Sequence, residues 1–453
     1  MKKIGVWIFS LGCSVVGSVA VASPSAPAVP PYQSVAEVYT SGPNAGKPVY
    51  IPAVTRYGEA PYLRGINFSG LEYGGDFGSA LQERPDLPDM LYFAAQGMNF
   101  VRLPIRAEYI VPDPDNPNNL VNMDYLGAVY DTVQKFLTDG ISVDLDLHNN
   151  MRFCPMDSAH HVGDSSDPVN SKCALLTDVQ LAHIWTLILT AQLNIPGISG
   201  TVTLAGLAQK YTPQDPKYGT PQLIFGVMDA PFDDAPSQAL RAETVFDNEV
   251  AAVKAIRASA PHNLILLSGD NWSSLHFWMT QVSNNANVFT AQALKSKGVD
   301  PSEIAIEVQE YFNWDYSGLT DICNHYDDYQ SFQEDMGLMD GAGRDIFGAW
   351  MQQNGFKVMV SEFGGADSPD CRQDIIWLLQ YVDTHGYDPK NPNQGGFIGW
   401  AAWHANRHDA GKVPFNFLQQ ANSSVYAPQG IVQGSANGLM SQVLSHYLVP
   451  PQQ

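Results

Sequence analysis

Positive charge is the scarcest commodity in this 453-residue chain: 24 Lys and Arg stand against 46 Asp and Glu, a formal charge of −22. Phosphate backbones and anionic membranes are gripped by Lys and Arg, so neither is expected as a natural partner. A neutral ligand is not excluded. Cysteine is also rare, with five in the chain and no close C-x-x-C pair, which argues against a zinc site. Long apolar runs are missing after the first 22 residues, so no later stretch is long enough to span a bilayer. The overall composition is otherwise that of a globular protein able to bury a large core, with 15% charged and 45% hydrophobic residues.

What the N-terminus does contain is the pattern of a secretory signal. Lys2 and Lys3 are followed by a largely apolar stretch and by Ala20-Val21-Ala22, a small-x-small cleavage site. Residues 1–22 are therefore expected to be removed, giving a secreted or periplasmic protein with no membrane attachment. Cys13 leaves with the signal, and Cys154, Cys173, Cys323 and Cys371 remain. An even count in an exported chain points to two disulfides. Three pairings are possible, of which Cys154–Cys173 and Cys323–Cys371 are expected. Residues 23–58, rich in Pro, Ser, Ala and Gly, read as a loosely packed lead-in.

From residue 59 to 453 one pattern recurs: apolar strand, polar loop, helix, Gly, next strand. Strand candidates lie at 62–68, 98–104, 141–148, 223–230, 263–270, 304–311, 358–364 and 397–403. Between them, Leu126, Val129, Tyr130, Val133, Phe136 and Leu137 share one helical face, as do Phe246, Val250, Val253 and Ile256, and Ile375, Leu378, Leu379 and Val382. Eight strands alternating with helices predict an α/β fold, a (β/α)8 TIM barrel. The strand runs are mainly apolar rather than alternating, as expected for strands buried on both sides. The stretch 149–222 is long for a connection, with a helix near 177–193 and an insertion around 194–220.

In such a barrel the active site lies at the carboxyl ends of the strands. Those ends carry Asn67 and Glu72, Arg102, His148 with Asn149, Asp229, Asp270 with Asn271 and Trp272, Gln309 and Tyr311, Glu362, and Trp403. Each has an ordinary structural explanation alone; together they exceed what packing needs. Rings that stack on flat sugar faces, beside carboxylates and amides that bind hydroxyls, suit a carbohydrate. Glu362, at the tip of Val358-Met359-Val360 and followed by Gly364-Gly365, is the centre of the pattern.

Successive segments (RGINFSGLE at 64–72, GMNFVRLP at 97–104, LDLHNN at 145–150, IFGVMDAP at 224–231, SGDNW at 268–272, EVQEYFNWDYSG at 307–318, VSEFGG at 360–365 and GWAAWHA at 399–405) resemble, in order, the motifs of glycoside hydrolase family 5, most closely its secreted cellulases, the endo-β-1,4-glucanases. The resemblance covers about 60–410, with no counterpart for the 194–220 insertion. It implies a retaining double displacement: Glu362 matches the nucleophile, Arg102 and Tyr311 the groups that orient it, and His148 and Trp403 sugar-site residues. It further implies a β-glucan polysaccharide or oligosaccharide as partner, a monomer, and no metal or organic cofactor.

Three positions depart from the family's pattern. Ala230 stands at the acid/base Glu, Asp229 at the preceding Asn, and Gln309 where a His is usual. A methyl group transfers no proton. Either Asp229 substitutes as the acid, with one of two facing carboxyls raised in pKa, or the chain is a glucan-binding protein with little turnover. Asp233 and Asp234 read as solvated loop residues.

Overall fold

The computed structural model describes residues 63–448, except 74–76, 86, 96, 117–119, 156–172, 213–220, 233–239, 319, 321, 367, 407–417, 423–424 and 429–442. The signal and lead-in, Asp233 and Asp234 fall outside the described residues, as does 213–220 of the insertion.

Eight strands close into a parallel barrel: β1 (Leu63–Phe68), β2 (Phe100–Ile105), β3 (Ser142–Leu147), β4 (Leu223–Gly226), β5 (Ile265–Leu267), β6 (Ile304–Tyr311), β7 (Lys357–Gly364) and β8 (Gly396–Ala405). β1 pairs with β2 on one side and with β8 on the other, completing the ring. Each expected strand is present. β4 and β5 are shorter than their apolar runs: regular strand pairing stops at Gly226 and Leu267, although the Val227 and Asp229 N–H groups still donate to the Leu266 and Leu147 carbonyls.

The helices follow the predicted faces. α1 (Met123–Thr138) begins where the Asn122 side chain accepts from the Tyr125 N–H, and it buries Leu126, Val129, Val133 and Phe136. α2 (Asp178–Thr190) opens with a capping box between Thr177 and Gln180. α3 (Leu204–Lys210) lies in the described part of the insertion. α4 (Ala242–Arg257) buries Phe246, Val250, Val253 and Ile256 against the barrel. α5 (Tyr329–Asp335) follows β6, and α6 (Pro369–Thr384), capped by Ser368 with Pro at its start, follows β7. Among the described residues no helix is long and apolar enough to cross a membrane. Both expected disulfides form, Cys154–Cys173 and Cys323–Cys371.

The bottom of the barrel is a dry plug of Leu63, Phe100, Ile224, Leu266, Ala305, Met359 and Ala401. Above it the interior is not apolar. Asp144 and Asp146 point inward from β3 and Glu307 from β6, all buried. The expectation of plain apolar runs misses this layer: residues two apart on a strand share a face, so 144, 146 and 148 share one, as do 307, 309 and 311. Gly226 makes room for it, since a Cβ there would meet Asp146 Oδ1 at 3.0 Å and Asp144 Oδ1 at 3.3 Å.

Candidate active site

Arg102 is the hub. Its side chain is fully buried at the centre of the barrel. Nη1 reaches Glu362 Oε1 at 2.5 Å, and Nη2 reaches Asp229 Oδ1 at 2.6 Å and Asp146 Oδ1 at 3.0 Å. Asp144 lies 3.7 Å from Nε and Glu307 3.8 Å from Nη2. Five carboxyl groups thus surround one guanidinium, whose planar fork engages several acids at once. Asn67 completes the cradle, accepting from Arg102 Nη1 at 3.1 Å while its own amide donates to the Ser361 carbonyl at 2.8 Å.

Glu362 sits on β7 in register with Gln309 on β6. Its second oxygen accepts from the Tyr311 hydroxyl at 2.7 Å. One carboxylate is therefore held from both sides, by a cation reaching across the barrel from β2 and by a phenol on the adjacent strand β6. Gly364, two residues on, packs beside the Tyr311 ring and leaves it space.

The strand-four end is tied down by its neighbours. The Asp229 N–H donates to the Leu147 carbonyl at 2.9 Å, and Ser268 Oγ donates to the Met228 carbonyl at 2.5 Å. Ala230 is buried, with φ of +42°, in the left-handed region that non-glycine residues seldom enter. Its carbonyl accepts from Asn150 Nδ2 at 3.1 Å.

His148 closes the cluster. Its Nδ1 lies 3.1 Å from Asp146 Oδ2 and 3.3 Å from Asp229 Oδ2. Its ring stacks on Trp403, with centroids 5.6 Å apart and planes 13° apart. Trp272 is 41% exposed and stacks on Phe232 with centroids 4.5 Å apart.

The electrostatics follow from burial and from this pairing. Burial and the neighbouring Asp229 charge push Glu362 up to about 8. Burial would raise Asp229 too, but His148 and Arg102 outweigh it and hold Asp229 below the usual carboxylate range. Burial disfavours the charged imidazole of His148, yet Asp229 and Asp146 raise it to about 10. Desolvation lifts Asp144 to about 7 and Glu307 well above its normal value. The expectation that one of two facing carboxyls is raised is met, but the raised one is Glu362. Asp229 is the partner that stays ionised, because His148 lies 3.3 Å from it in addition to the Arg102 guanidinium that both carboxyls share.

Not every predicted residue joins this group. Asn149 is fully buried, and its side chain is used inside the protein: Oδ1 accepts from the Ala107 N–H at 2.8 Å, and Nδ2 donates to Glu108 at 2.7 Å and to the Arg152 carbonyl at 3.2 Å. It fixes the loops beside β3. Asp144, Asp146 and Glu307 are not among the predicted residues; the Asp-x-Asp-x-His alternation of β3 hints at a polar inward face but not at the guanidinium that makes it tolerable. Asp146, His148 and Asp229 also offer ligand atoms within 4.8 Å of one another, a spacing that could hold a metal ion. Arg102 and His148 already bridge those two carboxylates.

The model of the family described as cellulase, glycosyl hydrolase family 5, matches residues 64–408. The chain belongs to glycoside hydrolase family 5. Among its relatives, an Endoglucanase 1 from Saitozyma flava is 27% identical over 76% of this chain and 82% of its own, and a protein named manganese dependent endoglucanase Eg5A from Phanerodontia chrysosporium is 27% identical over 76% and 73%. Against an Endoglucanase 1 from Robillarda sp. (strain Y-20), 26% identical, the chain spans 63% of its own length but only 59% of the relative's. Solved structures share the fold. A triple mutant of an endo-beta-1,4-glucanase from Xanthomonas axonopodis pv. citri aligns with a TM-score of 0.58 at 21% identity, covering 85% of this chain and 98% of that one. A Pseudomonas stutzeri endoglucanase in complex with cellobiose aligns at 0.54 and 20%, covering 89% and 99%.

Proposed function

We propose that this chain is an exported β-1,4-glucan-directed glycoside hydrolase of the retaining type, with Glu362 as nucleophile and with turnover of natural glucan impaired at the proton-transfer position. One observation carries the proposal: Glu362 is clamped by Arg102 on one oxygen and Tyr311 on the other. That double hold fixes the rotamer of a carboxylate facing an anomeric carbon, and it stabilises the anion as it forms. The relatives named endoglucanases support glucan as the substrate class.

In this mechanism Glu362, once ionised, attacks the anomeric carbon and the glycosidic oxygen leaves. A general acid would protonate that oxygen and, as the conjugate base, later activate water. Ala230 at the matching position supplies neither service. The missing catalyst is worth about 10²–10⁴-fold, roughly 3–5 kcal/mol of barrier. Asp229 is a poor replacement, since its depressed pKa leaves it without a proton to give near neutrality. In this proposal Asp229, His148, Gln309, Trp272 and Trp403 position sugar or tune Glu362.

A second reading has its own support. With Glu362 pushed up to about 8, the nucleophile itself is protonated at neutral pH, which suits a glucan-binding protein without significant turnover. Product analysis separates the two, using purified mature chain on a panel of β-glucans with Ala230→Glu alongside. Slow release of reducing ends, accelerated by Ala230→Glu, supports the hydrolase. Binding with no release by either protein supports the binding role.

A further inference from the structure

The loop after β6 is built more rigidly than a connection requires. Asn313 and Cys323 pair across its base, and the Trp314 N–H donates to the Ile322 carbonyl at 3.3 Å. Asn313 Oδ1 accepts from the Gly318 N–H at 2.8 Å, and its amide reaches Thr320. The Tyr316 hydroxyl donates to Asp335 of α5 at 2.9 Å, and its ring lies on His276 with centroids 4.4 Å apart. Cys323 is stapled to Cys371 at the start of α6, the helix that follows Glu362's strand. Gly318 packs against the Tyr311 ring, where a Cβ would come within 2.8 Å.

This braced loop nevertheless turns an indole outward. Trp314 is 62% exposed, and its cross-loop neighbour Ile322 is 65% exposed. Among the described residues only Trp272 is another exposed tryptophan. It sits in the loop after β5, the strand adjacent to β6, and the tilted packing of His276 against Tyr316 joins the two connections. Both exposed indoles thus stand at the same end of the barrel, on one side of Glu362. A large ring turned into water from a braced backbone gains nothing for the fold, but it offers a flat apolar face on which a sugar ring can stack.

We propose that Trp314 is a distal platform for a glucosyl unit of the chain beyond those bracketing Glu362, so that this indole sets a preference for longer β-glucans. The proposal rests on the glucan reading above. Its test is calorimetric titration of the mature chain and of Trp314→Ala with cellobiose and cellohexaose at low temperature. The expected result is a loss of about tenfold in cellohexaose affinity, the size of one stacking contact, with cellobiose unchanged and with Trp314→Phe retaining most of the affinity. Unchanged cellohexaose affinity in Trp314→Ala overturns the platform, as does an equal loss for both sugars. If the parent chain binds neither sugar, the glucan reading itself fails and the platform falls with it.

Discussion

The two halves of the barrel mouth are built to different standards. On the β6–β7 side, Glu362 is aligned by Tyr311 at 2.7 Å and Arg102 at 2.5 Å, in register with Gln309. On the β4 side, the chain ends in Asp229 and then Ala230, whose left-handed backbone presents only a methyl group. On the proposed reading, the first half is equipped for covalent attack and the second lacks a proton donor. If that reading holds, the contrast teaches that the steps of one mechanism can be lost separately. Glycosylation of Glu362 by a substrate with a good leaving group needs only the first half, whereas cleavage of cellulose needs both.

The strongest way to break this comparison is to remove the hub. Arg102→Met would leave several buried carboxyls without their counter-ion, and stripping one partner from a buried ion cluster costs about 3–5 kcal/mol. A large drop in Tm is expected, and an unchanged Tm would show that the cluster stays protonated and does not depend on the guanidinium. Next in size is Ala230→Glu, which should speed glucan hydrolysis by about 10²–10⁴-fold. The gain falls toward the lower end if the left-handed backbone misaims the new carboxyl. A rate unchanged in initial-velocity assays would place the proton donor elsewhere.

A smaller effect sharpens the electrostatic side. Asp229 helps raise Glu362, so Asp229→Asn should shift the ionisation of Glu362 toward lower pH. Reaction with an activated aryl glycoside rises as Glu362 ionises, so its limb near 8 should move to the acid side. A profile that stays in place would mean that burial alone sets the value. The same groups bear on stability. A carboxyl with a folded pKa raised to about 8 binds more protons folded than unfolded, so its contribution is full below the unfolded value and is lost as pH rises toward 8. His148, raised to about 10, adds a loss of the same sign between its unfolded value and 10. Urea midpoints should therefore fall between neutral and alkaline pH. Finally, Gly226→Ala presses a Cβ against Asp146 and should cost about 1–3 kcal/mol, as overpacking does.

The strands were legible because they are mainly apolar runs bounded by turn residues, several of them separated by helices of 3.6 periodicity. Arg102, Glu362, Tyr311 and Ala230 were legible as strand-end residues within recognisable motifs. Asp144, Asp146 and Glu307 were not, because a carboxylate inside a barrel is prohibitive until a guanidinium from another strand is known to stand beside it. That neighbour is a property of closure, not of local sequence. Asn149 erred the other way: a polar residue at a strand end looks available until Ala107, Glu108 and Arg152 are seen to use every atom of its amide. The direction of the Glu362–Asp229 split was equally hidden, since both carboxyls share Arg102 and it is the His148 ring, 3.3 Å from Asp229, that holds the second one ionised.

The central claim is most directly tested by intact-protein and peptide mass spectrometry after brief incubation with a dinitrophenyl β-cellobioside. The account predicts a cellobiosyl adduct on the Glu362 peptide that persists in the parent chain, because no base activates water. The adduct should turn over quickly in Ala230→Glu or on addition of azide. Absence of any adduct at alkaline pH, or an adduct on a residue other than Glu362, would contradict it.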